Sequence, residues 1–367
     1  MSALPPPIAS TRSYAVIAGV TALVGVLALA GVPLDGPPAL VLLGAAVLLT
    51  GMPHGAIDHL VARRLFEWRG PRGTVLFYGG YLGLSALYGF CWWLAPVAAL
   101  SFFLAIAAYH FGQADLAHLA PRRLRRMLLY LSRGVFVVGS LLMAHPDAVA
   151  PLVNALAGTG FAARLVDALV DAGGYGWVAV LTAQHVLVLL TCTKKIGTAF
   201  WRRRELLSVA VLAMLFSAAP PLAAFAVYFG LWHALGHMFV LLRFFRRSQE
   251  SSLIDSRPPY AQGALPHTVG GFYRQAALYT AFPLIGLAAT LLLYAPEVQT
   301  STDEVLAALF VLVSVLTLPH MLLVERLYRH ERWRVERRGS SQAATPDEGS
   351  SSVSSGFTTN EGGSPDG

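Results

Sequence analysis

About ten stretches of this chain approach the roughly 20 apolar residues that a helix needs to cross a bilayer. They run from Ser13 to Gly31, Pro38 to His59, Val75 to Leu94, Val97 to Leu116, Met127 to Ala144, Tyr175 to Cys192, Leu206 to Ala219, Leu222 to Leu242, Gln275 to Tyr294, and Glu304 to Leu327. The seventh is short and is read as re-entrant or as closely paired with the eighth across Pro220 and Pro221. Composition agrees, since 55% of residues are hydrophobic, only 13% are charged, and mean hydropathy is +0.57. No soluble domain of this length tolerates such a surface. The expected fold class is therefore an all-α polytopic membrane protein of about 8–10 transmembrane helices.

The net charge of +7 would suit nucleic acid if it lay on a polar domain, but the basic residues fall in short clusters between apolar runs. That distribution reads as membrane topology, and no nucleic-acid partner is expected. Lys and Arg number 1 before the first span, 4 after the second, 5 around the start of the fifth, 5 after the sixth, 5 between the eighth and ninth, and 6 after the tenth. Alternate loops are thus basic, while the others carry Asp35, Asp147, Asp167, Asp171, Glu297 and Asp303. The positive-inside rule then predicts cytoplasmic termini, with even-numbered helices running inward, in a multi-pass plasma-membrane protein. The first span follows Arg12 and ends in small residues, as a signal peptide would, yet its length and the helices that follow predict a retained helix. Residues 1–338 are read as one catalytic transmembrane domain. Residues 339–367 are rich in Ser, Gly, Thr and acidic residues and read as a disordered tail. Between Ala150 and Gly173 an amphipathic stretch predicts an interfacial helix on the outer face. The two cysteines, Cys91 and Cys192, fall at opposite faces, so they read as packing residues without a disulfide.

Ionisable or coordinating side chains inside a span are costly, and each is a functional candidate. Five histidines lie in spans within short motifs: His54 in GMPHGAIDH, His110 in YHFGQAD, His233 and His237 in LWHALGHM, and His320 in TLPHMLLVE. All fall on even-numbered helices, at similar distances before the first basic residue that follows. At about 1.5 Å per residue they share one depth, roughly 9 to 18 Å inward. A common site is the simplest explanation. The i,i+4 spacing of His233 and His237 lets both ligate one metal, although an isolated pair is equally well read as two histidines bonded to backbone carbonyls. Neutral imidazoles suit Fe, Zn, Cu or Ni; four of them would close a tetrahedral zinc site and leave ferrous iron with open positions.

His59 follows His54 by five residues, about 140° around a regular helix, and so reads as a local or headgroup contact. His118, His145, His267 and His330 read as solvated, and His185 as a packing or substrate-pocket residue. Asp58 and Asp115 follow His54 and His110 by four and five residues and are candidates to orient imidazoles or to offset a divalent charge. Gly51, Gly55 and Gly112 suggest close helix approach, and Pro53 and Pro319 suggest kinks beside histidines.

The ordered motifs GMPHGAIDH, HFGQAD, the H-x-x-x-H pair and LPHM resemble those of the bacteriorhodopsin-related-protein family of membrane β-carotene 15,15′-dioxygenases, from about the second span through the tenth. The resemblance implies Fe(2+) held by His54, His110, His233 and His237, with His320 a ligand or a substrate contact. The Ala-Leu-Gly inside the pair departs from the more polar residues of the family pattern. The implied reaction is oxygen-dependent cleavage of the central double bond of β-carotene into two molecules of retinal. Its partners would be β-carotene, dioxygen, membrane lipid and a retinal-binding opsin as recipient. Trp92, Trp93, Phe102, Phe103, Tyr109 and Trp232 are candidates to line a substrate tunnel, none assigned individually. Competing readings are a bis-histidine haem protein for electron transfer and a membrane transporter with a structural metal.

Overall fold

The computed structural model describes residues 4–68, 70–119, 123–158, 175–193, 199–254, 268–294 and 301–343, with the single positions 160, 164 and 266. Among the described residues every regular element is helical. In chain order α1 is Thr11–Leu29, α2 is Pro37–Leu65, α3 is Gly70–Leu94, α4 is Pro96–Leu119 and α5 is Arg123–Met143. Then follow α6 (Pro146–Ala157), α7 (Tyr175–Thr193), α8 (Ala199–Ala218), α9 (Pro221–Ile254), α10 (Val269–Tyr294) and α11 (Thr302–Ala343). Among the described residues nine helices are long and apolar enough to cross a membrane: all but α6 and α8. In α8 the first turns hold Arg202, Arg203, Arg204 and Glu205, which leaves Leu206 to Ala218 apolar, short of the roughly 20 residues of a full crossing.

The first helix is built into the bundle. Tyr14 donates to the Arg204 carbonyl at 2.9 Å, the Arg204 guanidinium lies 4.0 Å from the Tyr14 ring centre, and Ile17 and Ala18 are buried. The interfacial helix expected from residue 150 begins earlier, as α6, and most of its second half lies outside the described residues. The last helix runs five residues beyond the expected domain boundary at 338, to Ala343. The rest of the expected tail, residues 344–367, lies outside the described residues, as does His267. Cys192 is buried as expected for packing, whereas Cys91 is exposed, and neither forms a disulfide.

Two features place the site. First, α4 and α5 touch backbone to backbone: a Cβ at Gly112 would stand 1.8 Å from the Tyr130 carbonyl oxygen, and one at Gly134 would stand 1.7 Å from that of Ala108. Only glycine permits such an approach. Second, α2 and α9 each contain a π-helical turn, Val47–Gly51 and Tyr228–Ala234, and these turns face each other. A π turn inserts one residue into the helical ladder and re-aims the side chains around it. Thr50 Oγ1 lies 3.1 Å from the Ala46 carbonyl and 3.0 Å from that of Gly230, sharing one proton between the two helices. A Cβ at Gly51 would come within 2.4 Å of the Phe229 ring.

Candidate functional site

His54 follows the first π turn, and His233 lies inside the second. Their ring centres are 5.4 Å apart, and His237 is 5.6 Å from His54. His110, on the side of α4 opposite the close Ala108–Gly112 contact with α5, stands 4.9 Å from His233. His320, just after Pro319 in α11, is 5.0 Å from His54, 5.3 Å from His110 and 5.5 Å from His237. All five expected side chains, from four helices, therefore form one buried cluster, none more than 6% exposed.

Their nitrogens are poorly satisfied by the protein. His54 Nδ1 lies 3.2 Å from the Thr50 carbonyl, which can only accept, so Nδ1 carries the proton and Nε2 keeps its lone pair. His320 Nδ1 likewise faces Asp58, 3.0 and 2.9 Å from its two carboxylate oxygens. Tyr81 donates to the same carboxylate at 3.2 Å. By contrast both ring nitrogens of His110 and His237, together with His233 Nδ1 and His320 Nε2, are buried without a hydrogen-bond partner. Each such group costs about 1–3 kcal/mol unless something else satisfies it.

A metal ion is one thing that could. An imidazole bound at about 2.1 Å has its centre about 3.2 Å from the metal, so two ligands of one ion stand about 4.5–5.2 Å apart. The rings here, 4.9–5.6 Å apart, are close to that spacing. Yet among the described residues no group of three or more His, Cys, Asp or Glu side chains is already disposed to hold an ion. Centre spacing and nitrogen direction are separate properties, and the last torsion of histidine is broad, so rings can turn in place. The donor set fits a nitrogen-loving metal; its aim is not preset.

A cavity of about 490 Å³ ends on this cluster, with His54, His110, His233 and His320 in its wall and His237 behind them. Phe103, Phe111, Phe225, Phe229 and Phe310 make much of the remaining wall. Leu82 of α3 and Phe282 of α10 also line it and are 59% and 76% exposed, so the cavity reaches the apolar outer face of the bundle. Beside that mouth Tyr78 donates to Tyr279 at 2.6 Å, and the His59 ring lies 4.2 Å from that of Tyr279.

Other candidates lie elsewhere. Asp115 does not meet a histidine of the cluster; it accepts from Arg133 Nε at 2.9 Å and from the Tyr228 hydroxyl at 3.2 Å. Arg133 itself, counted above with a basic loop, is buried in the middle of α5. His185 is a packing residue, 2.9 Å from Ser132 Oγ and stacked on Phe136. His118 is not solvated: it is buried 3.5 Å from Glu205, because α4 ends inside the bundle. His145 and His330 are half-buried. Of the six aromatic tunnel candidates only Phe103 lines the cavity. Trp92 bonds Ser314, Tyr109 bonds Glu325 and Trp232 bonds Thr21, while Trp93 and Phe102 are exposed on the outer face. Phe225, Phe229 and Phe310 were not anticipated, although i,i+4 and i,i+8 spacing puts the first two on the face of His233.

The model of one protein family, described as Beta-carotene 15,15'-dioxygenase, matches residues 45–328. Among curated sequences, the probable beta-carotene 15,15'-dioxygenase Blh of Halobacterium salinarum is 29% identical over 315 residues, covering 81% of this chain and 86% of that protein. The beta-carotene 15,15'-dioxygenase of uncultured marine bacterium 66A03 is 26% identical over 300 residues, covering 80% of this chain and 95% of that protein. No solved structure matches.

Proposed function

This chain belongs to the β-carotene 15,15′-dioxygenase family, and on that premise we propose that it splits the central double bond of β-carotene at a ferrous ion held by His54, His110, His233 and His237. It is a carotenoid-cleaving oxidoreductase of the membrane. The observation that carries the finer reading is the cluster of imidazoles with unpartnered nitrogens, set in the wall of an apolar cavity that opens on the outer face.

The reaction balances without a further reductant: one C=C and one O=O bond break, two C=O bonds form, and the two aldehydes are two molecules of retinal. Ferrous iron, when bound, supplies the one-electron chemistry that lets dioxygen react with a closed-shell polyene. The chain supplies the rest. Phe103, Phe111, Phe225, Phe229 and Phe310 offer a water-poor channel for a rigid polyene, and holding its midpoint beside the histidines selects the central bond. Thr50 fixes the ring of His54 from behind. β-Carotene dissolves only in lipid, and a mouth between α3 and α10 admits it from the bilayer with no aqueous step. Retinal leaves by the same route, with a retinal-binding opsin as its recipient.

The test is expression in a β-carotene-producing bacterium with chromatography of the extract. Cells should lose their orange colour and accumulate retinal. Bleaching to longer apocarotenals would mean a non-central bond, and unchanged β-carotene in cells making inserted protein would overturn the reading.

A further inference from the structure

We infer that His320 is a fifth metal ligand, positioned by Asp58, so that the metal set of this chain is five histidines. The inference rests on the iron reading above and extends it.

The ring positions lead to it. His54, His233, His110 and His320 form a closed quadrilateral with edges of 5.4, 4.9, 5.3 and 5.0 Å. His237 sits against one edge, 5.6 Å from His54 and 5.5 Å from His320. Without His320 the figure is open between His54 and His110. His320 is thus placed as the other four are, within the cluster.

Its nitrogens point the same way. Asp58 accepts the hydrogen bond from His320 Nδ1–H, which leaves the Nε2 lone pair free for a metal, and Nε2 is buried with no partner. A carboxylate behind an imidazole whose other nitrogen faces a metal is a recurrent means of fixing tautomer and ring direction. The backbone is held for this purpose too. Pro319 has no N–H and so leaves the Val315 carbonyl without its helical donor. Ser85 Oγ donates to that carbonyl at 3.1 Å, and Tyr81, which also holds Asp58, lies 3.3 Å from the Leu316 carbonyl. The turn of α11 before His320 is therefore held by Ser85 and Tyr81 of α3.

Metal binding by the purified full-length protein tests this, with Fe(II) affinity measured by competition with a chelator and the visible absorption of Co(II) as a probe of ligand number. His320→Ala and Asp58→Asn should each weaken Fe(II) binding roughly 10- to 100-fold. The Co(II) bands of His320→Ala should shift and intensify as the coordination number falls, a change that a packing or substrate-contact role would not produce. If His320→Ala does not fold, Asp58→Asn, which keeps the side-chain volume, decides by its Fe(II) affinity. Wild-type affinity and Co(II) spectrum in both variants, with metal lost from His54→Ala and His233→Ala, overturns the fifth ligand and leaves the four-histidine reading standing. Metal retained by all four variants overturns both.

Discussion

His320 Nδ1 lies 2.9 Å from Asp58 Oδ2, a contact between residues 262 apart in sequence that ties α11 to α2 at the level of the histidine cluster. Both partners are nearly fully buried, where neither would be stable alone: a lone carboxylate in the bundle is strongly disfavoured, and a lone imidazole turns freely. Together with Tyr81 they fix the relative rotation of three helices. The histidine cluster is thus a device for aligning helices as well as a place for chemistry.

Replacing His54, His110, His233 or His237 singly by Ala should leave an inserted, folded protein with little iron and almost no retinal production. One missing ligand alters both affinity and geometry, whereas the truncated ring borders an existing cavity for three of the four. His330→Ala, half-buried near the end of α11 and away from the cluster, should keep both. Iron and turnover measured on the same preparations decide. Full iron and activity in His233→Ala and His237→Ala would remove the basis for the site.

Two neighbouring glycines should respond differently to alanine. At Gly51 the new Cβ would stand 2.4 Å from Phe229 Cε1 and 3.0 Å from the Ala46 carbonyl oxygen, so Phe229, part of the cavity wall, must move. Overpacking of this kind costs about 1–3 kcal/mol, and here the strain falls beside His54 and His233. At Gly55 the new Cβ would lie 3.6 Å from His320 Nδ1, an ordinary contact. Retinal formation should therefore fall severalfold or more in Gly51→Ala and little in Gly55→Ala. Equal activities would show that the packing of the π turns does not set the site.

What the sequence made legible was depth. Basic loops ordered the helices, and distance from those loops put His54, His110, His233, His237 and His320 at one level, where they do meet. Rotation about each helix was less readable. Asp115 follows His110 by five residues, about 140° around α4, and so faces Arg133 instead of the cluster. Asp58 follows His54 by four residues, but α2 breaks at Ile57, and the carboxylate reaches across to α11. The π turns change helical phase locally, and apolar periodicity carries no sign of them. For the same reason aromatic residues picked by type, such as Trp232 and Trp92, turned out to brace other helices, while Phe229 and Phe310 line the cavity.

The Asp115–Arg133 pair offers a test of stability separate from chemistry. Arg133 is buried in α5, paired with Asp115, and its guanidinium carbon lies 5.7 Å from the centre of the Phe136 ring. Arg133→Met should destabilise the protein by about 3–5 kcal/mol by stranding a buried carboxylate. Adding Asp115→Asn to it should recover part of that loss, because the stranded charge is gone. Thermal unfolding of the single and double variants in one detergent checks this. A double variant no more stable than Arg133→Met would mean that the cost lies in packing around the guanidinium.

Reporter fusions address orientation. The alternation of basic loops predicts that reporters placed after Arg72, Arg126 and Arg338 all report cytoplasm. For Arg338 this requires the short α8 to carry the chain across as well, because the nine long helices alone would leave it on the opposite face. A periplasmic signal at any one of them would break the even-helix rule from which the shared depth of the histidines was derived.

Ala107 separates substrate from metal. It lies on α4 three residues before His110, is 4% exposed and lines the cavity, so a larger side chain there projects into the space next to the cluster. Ala107→Phe adds no group that can bind or displace a metal, and the cavity beside it gives the new ring room without forcing α4 from α5. Fe(II) affinity should therefore stay close to that of the unmodified protein, while retinal formation falls by at least tenfold because the polyene can no longer lie beside the histidines. A shorter carotenoid fragment should be less affected than β-carotene, since it needs less of the channel. Turnover of both substrates and iron content should be measured on one preparation. Wild-type cleavage of β-carotene by Ala107→Phe would show that the substrate does not occupy this cavity, whereas loss of iron would show that the ring has displaced His110.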